Sequence, residues 1–316
     1  MRVKVLTLLP PKKRAKLRFP DLAELAVKEH GDSLEFIEVE RARDLEHWIA
    51  SLLARDLEEA KVVVLHKITE LLVEDPEGIE LVLSASRRWH GDPRVRFVDD
   101  PEVTLLLTDR LRICQALSEV VAQEFIPPFK LPETIVPSSP SSVPEGLFPA
   151  IVKPLDACTT EHAHLMHLVA GREDYERIAA TLPPHLLQRY IPHRQALYKI
   201  YLIGSDHMNI VVRPSVPPLT NSFDSQHLRH QPHLQPGSQE YAEAVKRVAP
   251  LEGRLRAISH LLSTRLLPDH PLTLFGWDLI IGEEDDELYV VDVNFFPGYD
   301  GAPDFHHCLL RLLLSS

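Results

Sequence analysis

The first hundred residues alternate between two periodicities, and this alternation restricts the fold more than any single motif does. The short apolar runs "VKVLTLL", "LEFIEV" and "KVVVLHK" have the length and composition of strands. Between and after them, "PDLAELAVKEH", "RDLEHWIASLLARDLEEA" and "EGIELVLSASRRW" carry apolar residues at helical spacing. Strands and helices of this length in alternation imply a parallel sheet covered by helices. Ligands on such sheets bind beyond the carboxyl ends of the strands. The basic cluster "PKKRAKLRF" (residues 11–19) follows the first strand, and His66 and Lys67 close another. Both groups are therefore expected at one rim, although any single lysine of the cluster is expected to face water from a turn.

Beyond the helix around "TDRLRICQALSEVVAQ" comes "IPPFKLPETIVPSSPSSVPEG", whose Pro and Ser content marks an irregular connection between lobes. From Phe148 the pattern changes to short strands: "FPAIVKP", "HAHLMHLV", "HLLQRYI", "ALYKIYLIG" and "MNIVVRPSV". A helical stretch interrupted at Pro250 follows. The strands "LTLFGWDLII" and "ELYVVDVNFF", joined by "GEEDD", and a last helix, "FHHCLLRLLL", end the chain. The expected fold is thus α/β in its first part and α+β, largely antiparallel, in its second.

A net charge of −12 argues against a general nucleic-acid binder, which needs a broad positive field, but not against a small polyanion held in a local basic pocket. No apolar run approaches the ~20 residues of a membrane span, and the N-terminus lacks the features of a signal peptide. Cys114, Cys158 and Cys308 are far apart and form neither a disulfide framework nor a CxxC pair, as in a reducing, cytoplasmic protein. No coiled-coil pattern is present, so a monomer is expected.

Asp292 and Asn294 are two residues apart and would share one face of a strand, with Asp278 beside them on the preceding strand of a hairpin. Both aspartates interrupt apolar strands, where unpartnered carboxylates are costly and a shared cation would supply the partner. Three oxygen donors with two carboxylates suit Mg²⁺, which is completed by substrate phosphates. Lys153 and Lys199 also interrupt apolar strands and are expected on consecutive parts of one sheet, which suggests a nucleotide-phosphate site. The P-loop pattern GxxxxGK[ST] is absent, as is the HRD–DFG set of protein kinases. His162, His164 and His167 lack further ligands at zinc-type spacing.

The two strand lysines with "FGWDLII…VVDVNFFPG" resemble the ATP-grasp fold, in which two α+β lobes hold ATP and an Asp plus a D-x-N pair binds magnesium. Within it, "KKRAKLRF", "HKITE", "TDR", "LLQRYIPHRQALYKIYLIG", "VVRPSVP", "NSFDS" and "NFFPGYDG" are similar, in this order, to the inositol 1,3,4-trisphosphate 5/6-kinase family. The resemblance implies an N-terminal Rossmann-like parallel-sheet domain (1–105), a central ATP-grasp lobe (106–192) and a C-terminal lobe with the metal site (193–316). It implies Asp278, Asp292 and Asn294 as magnesium ligands. Arg110, Lys153, Gln188 and Lys199 would contact ATP, with Ser215 and Ser222 near the nucleotide. Lys13, Lys67, Arg213 and Gly298 would face an inositol polyphosphate, and Lys199 would touch both substrates. The implied reaction is transfer of the ATP γ-phosphoryl group to a ring hydroxyl, with Lys153 and Lys199 as the catalytic cations.

One segment departs from the family. A His-Gly pair is expected after the first strand lysine, where this chain has "KPLDACTTEHAHLMHLV". Counting from Lys153 puts Cys158 and Thr159 at those positions, whereas counting back from "HLM" lets His162 or His164 stand in. Two alternatives follow: an ATP-grasp carboxylate–amine ligase, and an inositol-phosphate binding protein without catalysis.

Overall fold

The computed structural model describes residues 2–55, 60–72, 75–158, 161–216, 222–224 and 234–315; for 161, 162 and 222–224 it describes the backbone alone. The N-terminal sheet consists of β1 (Arg2–Leu8), β2 (Leu34–Glu38), β3 (Ala60–His66) and β4 (Val95–Val98), in the order β2-β1-β3-β4, with every pair parallel. Its central strands are apolar on both faces because helices cover both. On β3, Val63 and Leu65 enter one core while Val62 and Val64 enter another. Two helices begin where a side chain takes up unpaired backbone N–H groups. Asp75 accepts from Gly78 N at the start of helix Pro76–Trp89, and Asp109 accepts from Leu111 N and Arg112 N at the start of helix Arg110–Gln123.

Two antiparallel sheets follow. The central one contains β5 (Thr134–Ile135), β6 (Ala150–Pro154), β7 (Leu165–Val169), β8 (His185–Arg189) and β11 (Ser222–Asp224), in the order β11-β7-β6-β8-β5. The C-terminal one is β10 (His207–Pro214), β9 (Ala196–Ile203), β12 (Leu274–Ile281) and β13 (Leu288–Phe295), in that order. We propose the division at 105/106 and 192/193, with one crossing: β11 lies within 193–316 but pairs with β7 of the central sheet. Lys153 is on β6 and Lys199 on β9, so the two lysines belong to different sheets rather than to consecutive parts of one. The expectation erred because a chain reversal between apolar strands looks the same whether or not the strands hydrogen-bond.

The N-terminal sheet docks on the C-terminal lobe. One hydrophobic core contains Val3, Val5 and Leu65 together with Phe275, Trp277 and Leu309. At its margin Asp99, buried just after β4, accepts from Thr273 N, Thr273 Oγ1 and Leu274 N where β12 begins. Burial pushes this carboxyl up to about 6, against the pull of those three donors.

The β12–β13 pair contains an irregularity that decides which way its polar residues point. Asp278 faces Asp292, but the next pair is Leu279 with Val290, so Val291 is an extra residue on β13. Leu288 and Val290 enter the core before it, and Val293 and Phe295 after it. Strict alternation from Leu288 would have sent Asp292 and Asn294 into that core, since a one-residue slip turns every side chain over. The bulge restores them to the opposite face. Deleting Val291 is therefore expected to lower unfolding free energy by more than about 3 kcal/mol, as buried unpaired charges do. Val291→Ala is expected to cost about 1 kcal/mol. Denaturant unfolding of the two variants checks the difference.

Candidate functional site

One cleft, with a volume of about 390 Å³, lies where the three sheets meet. It is lined by Lys13, Lys67, Arg110, Lys153, His164, Gln188, Lys199, Arg213, Ser215, Asp278, Asp292, Asn294 and Gly298. Apart from Ser222, whose side chain lies outside the described residues, these are the residues that the resemblance assigned to metal, nucleotide and acceptor, together with His164. The cleft also takes in Lys16, Glu70, His193, Tyr201, Gly276 and Asp300.

At its floor, Asp278 and Lys199 are register partners on neighbouring strands, and Asp278 and Asp292 are register partners on the other side. Lys199 Nζ donates to both carboxylate oxygens of Asp278, at 2.9 and 2.7 Å. Burial works most strongly against the charge on Lys199, but Asp278, joined by Tyr201 and Asp292, more than offsets it, and the ammonium is held above its ordinary range. Burial also raises Asp278, and Asp292 adds to this while Lys199 opposes it. Two carboxylates thus share one ammonium. Asn294 stands opposite Gly276 on the same face, two residues from Asp292. A donor set of oxygens with surplus negative charge fits a hard divalent cation. Gly276 lets neighbouring groups pack close to that face: a Cβ there would stand 2.9 Å from Tyr201 Cδ1 and 3.0 Å from Pro297 Cγ. A glycine inside a strand signals such close approach, so this position was legible in "LFGWD". Among the described residues, no group of three or more His, Cys, Asp or Glu is arranged to hold a metal.

Lys153 faces this floor from β6. Its Nζ donates to Gln188 Oε1 at 2.6 Å and to Val291 O at 3.3 Å, the carbonyl of the bulged residue. Burial lowers its pKa, with Asp292 opposing. Arg110, at the first turn of its helix, donates to Pro154 O, Asp156 O and Ala163 O. Its guanidinium therefore gathers the two ends of the unusual 156–164 segment. Within that segment the Cys158 backbone N–H bonds Asp156 Oδ1, and the Cys158 Sγ sits 3.9 Å from Thr69 O. Burial pushes this thiol up to about 11, so it is protonated and unreactive near neutrality. Thr159 lies outside the described residues, as does the side chain of His162; His164 lines the cleft.

The Ser215 hydroxyl is engaged. His193 Nδ1 bonds the Ile191 carbonyl, so its Nε2 accepts from Ser215 Oγ at 2.7 Å. Burial lowers the pKa of His193 and keeps it neutral in this role.

The far end of the cleft is basic. Lys13, expected singly to face water, lies in a helical turn (Pro11–Lys16) and is 1% exposed. Its Nζ donates to Phe296 O and Pro297 O, and Lys67 Nζ donates to Phe295 O. Arg213, on β10, donates to Asp300 O at 2.8 Å. Burial, reinforced by Lys67, holds Lys13 well below the usual ammonium range, with Glu70 opposing. Burial pushes Lys67 down to about 8. Positive φ in the turn after β13 falls on Phe296, Tyr299 and Gly301 rather than on Gly298. At Gly298 the constraint is close approach instead, since an added Cβ would stand a tight 3.2 Å from Asp300 Oδ2.

Residues 130–315 match the inositol 1,3,4-trisphosphate 5/6-kinase ATP-grasp domain. Inositol-tetrakisphosphate 1-kinase of Xenopus laevis is 27% identical over 320 residues, covering 95% of this chain and 75% of its own length. Its counterpart in Danio rerio is 28% identical over 330 residues, covering 97% and 77%. Among solved structures, D-alanine–D-alanine ligase from Bacillus anthracis superposes with a TM-score of 0.57 at 13% identity, over 99% of this chain and 96% of that one. The likeness to the ligase is one of fold, and the fold is ATP-grasp.

The lowered lysines set a pH window for anions. Lys67 is charged below about 8 and neutral above it, so affinity for inorganic phosphate is expected to fall as pH rises through about 8. Lys67→Arg, whose guanidinium stays charged, is expected to flatten this fall between about pH 7 and 9. Isothermal titration at a series of pH values measures both.

Proposed function

The chain belongs to the inositol 1,3,4-trisphosphate 5/6-kinase family, and on that premise we propose that it is a Mg-ATP-dependent inositol polyphosphate kinase. The proposed reaction moves the γ-phosphoryl group of ATP to a ring hydroxyl of an inositol tris- or tetrakisphosphate. One observation carries the proposal: a single cleft has surplus carboxylate at its floor, lysines facing each other across it and a basic far end. Each zone suits one participant, namely the cation, the nucleotide phosphates and the polyanionic acceptor.

Phosphoryl transfer passes through a loose transition state, so positioning and charge neutralisation supply most of the catalysis. Asp278, Asp292 and Asn294 would hold Mg²⁺, which would supply charge neutralisation for the nucleotide phosphates. Lys153 and Lys199 approach from opposite sheets and would meet the transferring group from two sides. Lys199 is held charged by Asp278 and so retains its full electrostatic effect in a buried setting. Gln188 fixes the Lys153 ammonium through its 2.6 Å bond. Lys13, Lys67 and Arg213 would anchor the acceptor's phosphates so that one hydroxyl lies in line with the γ-phosphorus. In this reading Arg110 acts by holding the carbonyls of Pro154, Asp156 and Ala163 beside the nucleotide.

The basic far end favours a phosphorylated acceptor over the carboxylate substrate of an ATP-grasp ligase. The carboxylate pair favours catalysis over binding alone, since a pure binder gains nothing from buried carboxylates.

Incubation with Mg-ATP and a panel of inositol phosphates tests the reading: ADP and a more highly phosphorylated inositol are expected. Tight inositol-phosphate binding without transfer would overturn the kinase reading and leave the binding protein. Asp292→Ala is expected to lower turnover by at least about 10³-fold while leaving inositol-phosphate affinity within about threefold of wild type. Steady-state kinetics and calorimetry measure the two quantities.

A further inference from the structure

Lys13 and Lys67 have partners that holding an acceptor would not require. Lys13 Nζ lies 2.6 Å from Phe296 O and 2.7 Å from Pro297 O, and Lys67 Nζ lies 2.5 Å from Phe295 O. The same ammonium groups stand over the rings of Phe296 and Phe295, at 3.7 and 5.2 Å from the ring centroids. The three carbonyls are consecutive and follow Asn294 directly. The lysines come from the other end of the chain, beyond the carboxyl ends of β1 and β3. The backbone they hold is strained, with φ of 41° at Phe296 and 55° at Tyr299, a region that bulky side chains avoid. An ammonium has three N–H donors. Lys13 spends two on these carbonyls and Lys67 one, so each keeps a donor for a phosphate oxygen.

We propose that Lys13 and Lys67 are positioning residues for the divalent-cation site: by clamping the carbonyls of residues 295–297 they hold Asn294 and Asp292 in register with Asp278. This rests on the reading of those three side chains as the cation's donors. It extends that reading by making the N-terminal domain part of the metal site without supplying a ligand to it.

Electrostatics alone predicts the opposite sign, and this makes the inference testable. An ammonium beside a cation site repels the cation, so removing it should tighten cation binding if charge were its only effect. Removing a clamp should weaken binding, typically by about tenfold for a group that orients a ligand. The probe is Mn²⁺ alone, titrated into the full-length protein without nucleotide or acceptor and followed by the free-ion electron paramagnetic resonance signal. Lys67→Met is expected to weaken Mn²⁺ affinity about tenfold, and Lys67→Arg, which keeps a donor, to stay within about threefold of wild type. Hydrogen exchange at the amides of residues 295–301 is expected to quicken in Lys67→Met alone. Lys67 serves here because Lys13 is fully buried and its loss threatens folding. Asp292→Asn is the reference variant. If it weakens Mn²⁺ binding and Lys67→Met does not, the positioning role is overturned and the cation site stands. If Asp292→Asn leaves Mn²⁺ binding unchanged, the assignment of the cation site falls and this proposal falls with it.

Discussion

The arrangement of the cleft depends on two carboxylates made neighbours on one partly buried sheet face, with one ammonium bound to the first of them. Asp278 and Asp292 are paired across β12 and β13, and Lys199 is bound to the first of them. Such a group is unstable alone, because one positive charge cannot compensate two negative ones that are partly withdrawn from water. Other features answer that imbalance. Lys153 approaches from the facing sheet, Asn294 adds a neutral oxygen, and Gly276 lets Tyr201 and Pro297 pack closely beside that face.

The Val291 bulge links this imbalance to the fold. It turns Asp292 and Asn294 out of the core, and the carbonyl it frees accepts from Lys153. A single inserted residue therefore directs the acidic groups and also helps to place the opposing lysine. The N-terminal sheet completes the enclosure through a shared apolar core, the buried Asp99 carboxylate on β12, and the two lysines on the carbonyls after β13. The cleft is thus a property of three sheets together, and loosening the N-terminal contact would be felt at the floor.

Much of this was legible before the structure, because the relevant signals are local. The strand–helix alternation specified a parallel sheet, and charged residues inside apolar runs identified Asp278, Asp292, Lys153 and Lys199. The resemblance added Gln188, Arg213 and Ser215, all of which line the cleft. What escaped was long-range. Nothing in "VVDVNFF" announces that Val291 is unpaired. Nothing in "KKRAK" separates the buried Lys13 from its exposed neighbour Lys12. The partners that occupy Arg110 and Ser215 are 22 to 53 residues distant in sequence.

By itself the sequence determined which groups exist and which can share a strand face, because side-chain direction along a strand depends only on neighbouring residues. Tertiary structure decided the phase of that alternation, since only pairing with β12 reveals the bulge. It also decided that Lys153 and Lys199 face each other from separate sheets, and that Lys13 and Lys67 reach carbonyls at the opposite end of the chain. Those outcomes depend on which surfaces bury one another, a free-energy balance over the whole molecule that no short stretch of residues encodes.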